Sequence, residues 1–164
     1  MGHISKDLQN IPDGYLNYLI ILPSPLENEA QSIIDSEFIR LAKAVGEKTL
    51  LVYLYGGEEN QIIIDELQLH GNKFPMLFYL DKRPDAIESF TSRDECISFQ
   101  LGSFPDKYSL LLFLEKICWY VKSSHVRESI EWNKKKEMLA KILRPVAKGL
   151  PYVSGIFESI LNDM

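Results

Sequence analysis

The chain is poor in the residues that announce chemistry. Its 164 residues include two cysteines, Cys96 and Cys118, far apart and in no C-x-x-C pair. That excludes a disulfide framework of the kind that staples small secreted domains, and reads as two buried thiols in a reducing compartment. The three histidines, His3, His70 and His125, have no second histidine or cysteine at ligand spacing, so no metal site is expected. A phosphate-cradling loop is missing too: "YGGEEN" (55–60) has a double glycine but no G-x-G-x-x-G or Walker spacing, and Glu58 and Glu59 would repel phosphate. No G-x-S-x-G elbow marks a serine nucleophile. No apolar run approaches the roughly 18 residues of a membrane span. Positive charge is not in excess; the formal net charge is −5, which gives no reason to expect a nucleic-acid surface. The start, "MGHISKDLQN", lacks the basic and apolar regions of a signal peptide. These absences point to a cytoplasmic protein with no cofactor.

What is present is an ordinary globular composition, 46% hydrophobic and 25% charged, sufficient for one well-filled core. "YLNYLIIL" (15–22) and "TLLVYLY" (49–55) are continuous apolar runs, as expected for strands covered on both faces. Between them Ser24, Pro25 and Glu27 have the spacing of an N-cap, an N1 proline and a capping-box acid. Ile34, Phe38, Leu41 and Val45 then predict one buried helical stripe, and Gly46 its C′ position. "EENQIIIDELQLHG" (58–71) predicts a short helix with an acidic first turn and His70 near its C-terminal dipole. "MLFYL" (76–80) is a third strand, "AIESFT" and "CISFQL" two more that could form a hairpin around "SRDE". Residues 103–124 predict a helix capped by Ser103 or Asp106, buried along Leu110, Leu114, Ile117 and Val121.

The order is β-α-β-α-β-β-α, with the first two strands parallel across a right-handed crossover and the last two antiparallel. A proline stands directly before the third of these strands, in "NKFPMLFYLD" (72–81). Proline cannot donate to a sheet ladder and is normally kept out of central strands. Taken with the element order, the segment resembles the loop of thioredoxin-like proteins, which carry a cis-proline at the start of the third core strand. Gly102 followed by a capped helix resembles that family's last strand-to-helix junction. Pro75 reads either as that cis-proline or as a trans proline where the strand begins. The resemblance covers residues 15–124 and implies a thioredoxin-like three-layer α/β sandwich with a mixed sheet. Residues 1–14 then form an N-terminal arm, partly in the character of an expression remnant, and 125–164 a helical extension.

The departure from the family bears on function. Redox-active members carry C-x-x-C where this chain has "PSPLE" (23–27). The chemistry requires a thiolate ionised at a helix N-terminus and a second thiol to resolve the mixed disulfide. Ser24 supplies no thiolate, and Glu27 would oppose ionisation of one. The expectation is a redox-inactive, non-catalytic interaction, scaffold or chaperone-like module. Its peptide groove would lie between Ser24–Pro25 and Phe74–Pro75, and strand addition is its mode of binding. The alternative is a thiol-dependent oxidoreductase using Cys96 or Cys118.

Residues 125–164 differ in character. They carry seven basic and five acidic residues, a net of +2 that leaves −7 for the first 124. Pro145, Gly149 and Pro151 divide two predicted helices. The last aligns Val153, Ile156, Phe157, Ile160 and Leu161 on one stripe. That stripe calls for a cover: the body of the same domain, a homo-oligomer or protein partner, or a membrane surface. The last is disfavoured, because no lysine or arginine follows Lys148.

Overall fold

A computed structural model of the chain describes residues 1–54, 61, 63–65, 67–88 and 96–123. Five strands and two long helices organise them: β1 Gly2–Ser5, β2 Asn17–Leu22, α1 Glu29–Ala44, β3 Thr49–Leu54, β4 Met76–Leu80, β5 Ile97–Gln100 and α2 Lys107–Ser123. The strands form one mixed sheet in the order β1-β3-β2-β4-β5. β1 and β2 each run parallel to β3, while β4 is antiparallel to both β2 and β5.

Continuous apolar strands require cover on both sides, and both sides are covered. Every residue of β2 and β4 is buried. Leu19, Ile21, Leu51, Leu77, Tyr79 and Phe99 face α1 and α2. Their neighbours Ile20, Leu22, Leu50, Val52, Met76 and Phe78 face the opposite way, onto Ile11, Ile63, Ile64 and Leu69. The expected α2 stripe is buried throughout: Leu110, Leu114, Ile117 and Val121 are each at most 3% exposed. In α1, Ile34, Leu41 and Val45 are buried and Phe38 packs at the cluster's margin. Gly46 follows with φ +84°, the left-handed conformation a C′ residue takes.

One local expectation is corrected. α1 begins at Glu29 rather than beside Ser24, and its N-cap is Asn28, whose side chain accepts from the Gln31 N–H. The two prolines flanking Ser24 bias it to extended backbone, and an asparagine four residues on caps equally well. The helix-capping duty at α2 falls to Asp106, which accepts from the Ser109 N–H at 2.8 Å and the Ser109 hydroxyl at 2.7 Å; Ser103 ends a 3-10 turn instead. "CISFQL" pairs with β4 in the register Met76↔Gln100 to Tyr79↔Ile97; of "AIESFT", Ala86 ends a 3-10 turn that begins at Pro84, and residues 89–91 lie outside the described residues, as does "SRDE". The N-terminal arm contributes a strand, β1, at the sheet edge. The last two predicted helices, with Val153, Ile156, Phe157, Ile160 and Leu161, lie outside the described residues, as does "YGGEEN".

Candidate functional site

The site grows from the ladder between β2 and β4. Leu22 pairs with Met76, so the segments just beyond them, Pro23–Asn28 and Lys73–Pro75, emerge side by side. Pro23 and Pro75 are buried, Ser24 and Phe74 half-buried, and Pro25 exposed. The four residues proposed from sequence as a groove, Ser24, Pro25, Phe74 and Pro75, thus lie at one end of the sheet.

Each wall is held by hydrogen bonds the sequence reading did not identify. The Ser24 N–H donates to Gln31 Oε1 at 2.8 Å, and the Ser24 hydroxyl accepts from the Leu26 N–H at 3.3 Å. Gln31 is itself fixed by Asp35, to which its amide donates at 2.8 Å, and by a close contact with the Tyr53 hydroxyl. The Tyr53 hydroxyl donates to Asp35 at 2.5 Å. Burial and the adjacent Asp35 carboxylate push the Tyr53 phenol well above its ordinary range, so it remains a donor. On the other wall the Phe74–Pro75 peptide bond is cis. The Lys73 N–H donates to Gln100 Oε1 at 3.0 Å, and Pro75 O accepts from the Leu101 N–H at 2.7 Å.

Asn28 ties the walls together. While its Oδ1 caps α1, its Nδ2 donates to Phe74 O at 3.2 Å. The same carbonyl is approached from behind by Gly102, where a Cβ would stand 2.0 Å from Phe74 O. Only a residue without a side chain lets the turn after β5 lie so close to the loop before β4. Beneath this junction Asn28, Ile33, Gly102, Phe104, Asp106 and Leu110 line a cleft of about 260 Å³. Pro25 is exposed and Leu26 is 78% exposed, while Phe74 is half-buried and packs against the cluster that holds Met76 and Phe78. One signal for the missed residues was available: Asn28-Glu-Ala-Gln31 has the spacing of a capping box as well as "SPLE" does.

The thiols are elsewhere. Cys96 packs with the cluster under Ile63 and Leu69, and Cys118 with the cluster under α1 and α2, so the sheet separates them. Cys118 lies 4.0 Å from Leu41 O, and burial pushes its thiol from 9.0 up to about 12. Both cysteines are buried, Cys96 in the cluster on which Phe74 also packs and Cys118 in the opposite one. His70 Nε2 stands 3.5 Å from Asp65 Oδ1 on the surface, so its nearest charged partner is a side chain as well as the helix end. Among the described residues no group of histidine, cysteine and acidic side chains could hold a metal ion, and no helix is long and apolar enough to cross a membrane.

Comparison with protein-family models, with curated proteins and with solved structures finds no match.

Proposed function

We propose that the chain is a divergent thioredoxin-like protein that has kept the peptide groove of that fold without its redox centre, and that it acts as a non-catalytic binding module. The reading is supported above all by the junction of the two loops: Asn28 bridges from the first helix to Phe74 O, at the end of a sheet in which the proline-led strand is central. The loop that would carry the reactive thiols has none, and both cysteines are buried. Exposed Pro25 and Leu26 and half-buried Phe74 are apolar residues suited to an extended protein segment bearing an apolar side chain. A thiol-dependent activity has no comparable support, because both thiols are buried and burial pushes that of Cys118 up to about 12, which leaves it almost no thiolate at neutral pH.

The test is selection of displayed peptides on the native protein, followed by affinity measurement against Leu26→Asp and Phe74→Asp. Binding that weakens at least about tenfold in both variants, roughly 1.4 kcal/mol each, supports the groove. Peptides that bind the variants as well as the native chain refute it. In parallel, the protein should fail to catalyse reduction of insulin by dithiothreitol; catalysis there would contradict the absence of redox chemistry.

A further inference from the structure

Ser24 is half-buried, a place where water ordinarily satisfies a loop N–H. Three side chains from two elements are committed to that N–H instead. Gln31, only 7% exposed, accepts it through Oε1 at 2.8 Å. That bond settles which end of the amide is oxygen, since only an acceptor can face the Ser24 N–H. The other end donates twice: Gln31 Nε2 bonds Asp35 Oδ1 at 2.8 Å and the Tyr53 hydroxyl. The Tyr53 hydroxyl closes the triangle by donating to the same Asp35 oxygen at 2.5 Å. Asp35 stands one turn further along α1, while Tyr53 comes from β3, where its ring meets Phe38 edge-on at 5.5 Å. The Gln31 backbone N–H donates to Asn28 Oδ1, so one residue grips the loop at both Ser24 and Asn28.

We propose that Gln31, Asp35 and Tyr53 are positioning residues of the peptide groove. They hold the Ser24–Asn28 loop in its binding shape before any segment arrives, and so set affinity without choosing which side chains bind. The role rests on the groove reading given above. Contact with a bound segment falls to the exposed loop residues Pro25 and Leu26, whereas Gln31 is buried and Tyr53 belongs to another strand. A loop that samples several shapes binds more weakly, by the fraction of time it spends in the competent one. Holding it in that shape beforehand removes the loss. Freeing the loop should therefore weaken every binding segment by the same factor, while a change at Leu26 should alter which segments are preferred. Asp35 makes the distinction testable. Both of its bonds in the triangle fall on one oxygen, so an asparagine there keeps the acceptor and an alanine removes it.

The experiment compares the full native chain with Asp35→Ala, Asp35→Asn and Tyr53→Phe. Asp35 is exposed and alanine suits a helix, so Asp35→Ala should fold. Two quantities are read: hydrogen exchange of the Ser24 amide in the free protein, and affinity for a panel of unlike peptides selected on the native chain. Asp35→Ala should speed the exchange at least about tenfold and weaken all the peptides by a common factor of about three to ten. Tyr53→Phe should act in the same direction, and Asp35→Asn should keep both quantities within about twofold of native. An unmoved Ser24 amide in Asp35→Ala would overturn the role, as would faster exchange with unchanged affinity. Losses that differ from peptide to peptide, or an Asp35→Asn as impaired as Asp35→Ala, would overturn it too. Each of those results leaves the groove reading standing, because the native chain still binds. A native chain on which no peptide can be selected refutes the groove and this role together. If Asp35→Ala lacks the native circular dichroism, Tyr53→Phe carries the same two readouts with the same outcomes.

Discussion

Gly102→Ala is the sharpest perturbation of the candidate site. The added Cβ would stand 2.0 Å from Phe74 O and 2.8 Å from Phe74 C, both backbone atoms that no rotamer change can move. Restoring an ordinary contact of about 3.5 Å requires the Lys73–Pro75 loop and the turn after β5 to separate by roughly 1.5 Å. Overpacking of this kind costs about 1–3 kcal/mol. The separation also loosens the bond from the Leu101 N–H to Pro75 O and that from Asn28 Nδ2 to Phe74 O. Each bond contributes about 1 kcal/mol net. We therefore expect a loss of about 3 kcal/mol, read as a fall in the urea midpoint with an unchanged slope. Gly71→Ala is the control: its φ is +81° but nothing lies within 4 Å of the added carbon, so it should lose only about 1 kcal/mol. A Gly102→Ala protein as stable as the native one, or no less stable than Gly71→Ala, would refute the close approach.

Other outcomes follow from the same geometry. Asn28→Ala removes both the α1 cap and the bridge to Phe74 and should cost about 2 kcal/mol by chemical denaturation, whereas Asn28→Asp keeps a capping oxygen and should lose about half as much. Thr49 is fully buried and its hydroxyl has no hydrogen-bond partner among the described residues, so Thr49→Val should be neutral or stabilising by about 1 kcal/mol in thermal melts. Cys118 should resist a disulfide reagent: a shift from 9.0 to about 12 lowers its thiolate fraction at neutral pH roughly a thousandfold, so rapid labelling of Cys118 without denaturant would contradict its burial. Because that folded-state value is raised, its contribution is fully present below pH 9.0 and is lost as pH rises toward 12. Within that window it gives a slope of about −1.4 kcal/mol per pH unit, and denaturation at stepped pH should show that slope reduced in Cys118→Ala.

The sequence made the central elements legible because their signals are long and local. β2, β3 and β4 are near-continuous apolar runs, and the α2 stripe repeats over four buried positions. The parts that escaped reading depend on distant partners. "GHIS" is too short and too polar to mark a strand; it is one because β3 offers a free edge in the register Gly2↔Leu51 to Ser5↔Leu54. The start of α1 was misplaced because two capping signals compete within a few residues, and Asn28 gains a contact to Phe74 that no local pattern records. That Ser24, Pro25, Phe74 and Pro75 lie at one end of the sheet was legible through the placement of Pro75 before an apolar strand. The bonds that hold them, from Gln31, Asp35 and Tyr53, join residues up to 22 positions apart and follow only from the fold.

The most direct test of the binding-module account is the amide spectrum of isotopically labelled protein titrated with a peptide selected on it. The account predicts that the largest shifts fall on residues 23–28, on Lys73 and Phe74, and on Gly102, with the Asn28 side-chain amide among them. Shifts centred on the β1 edge or on α2, with those residues unmoved, would contradict it.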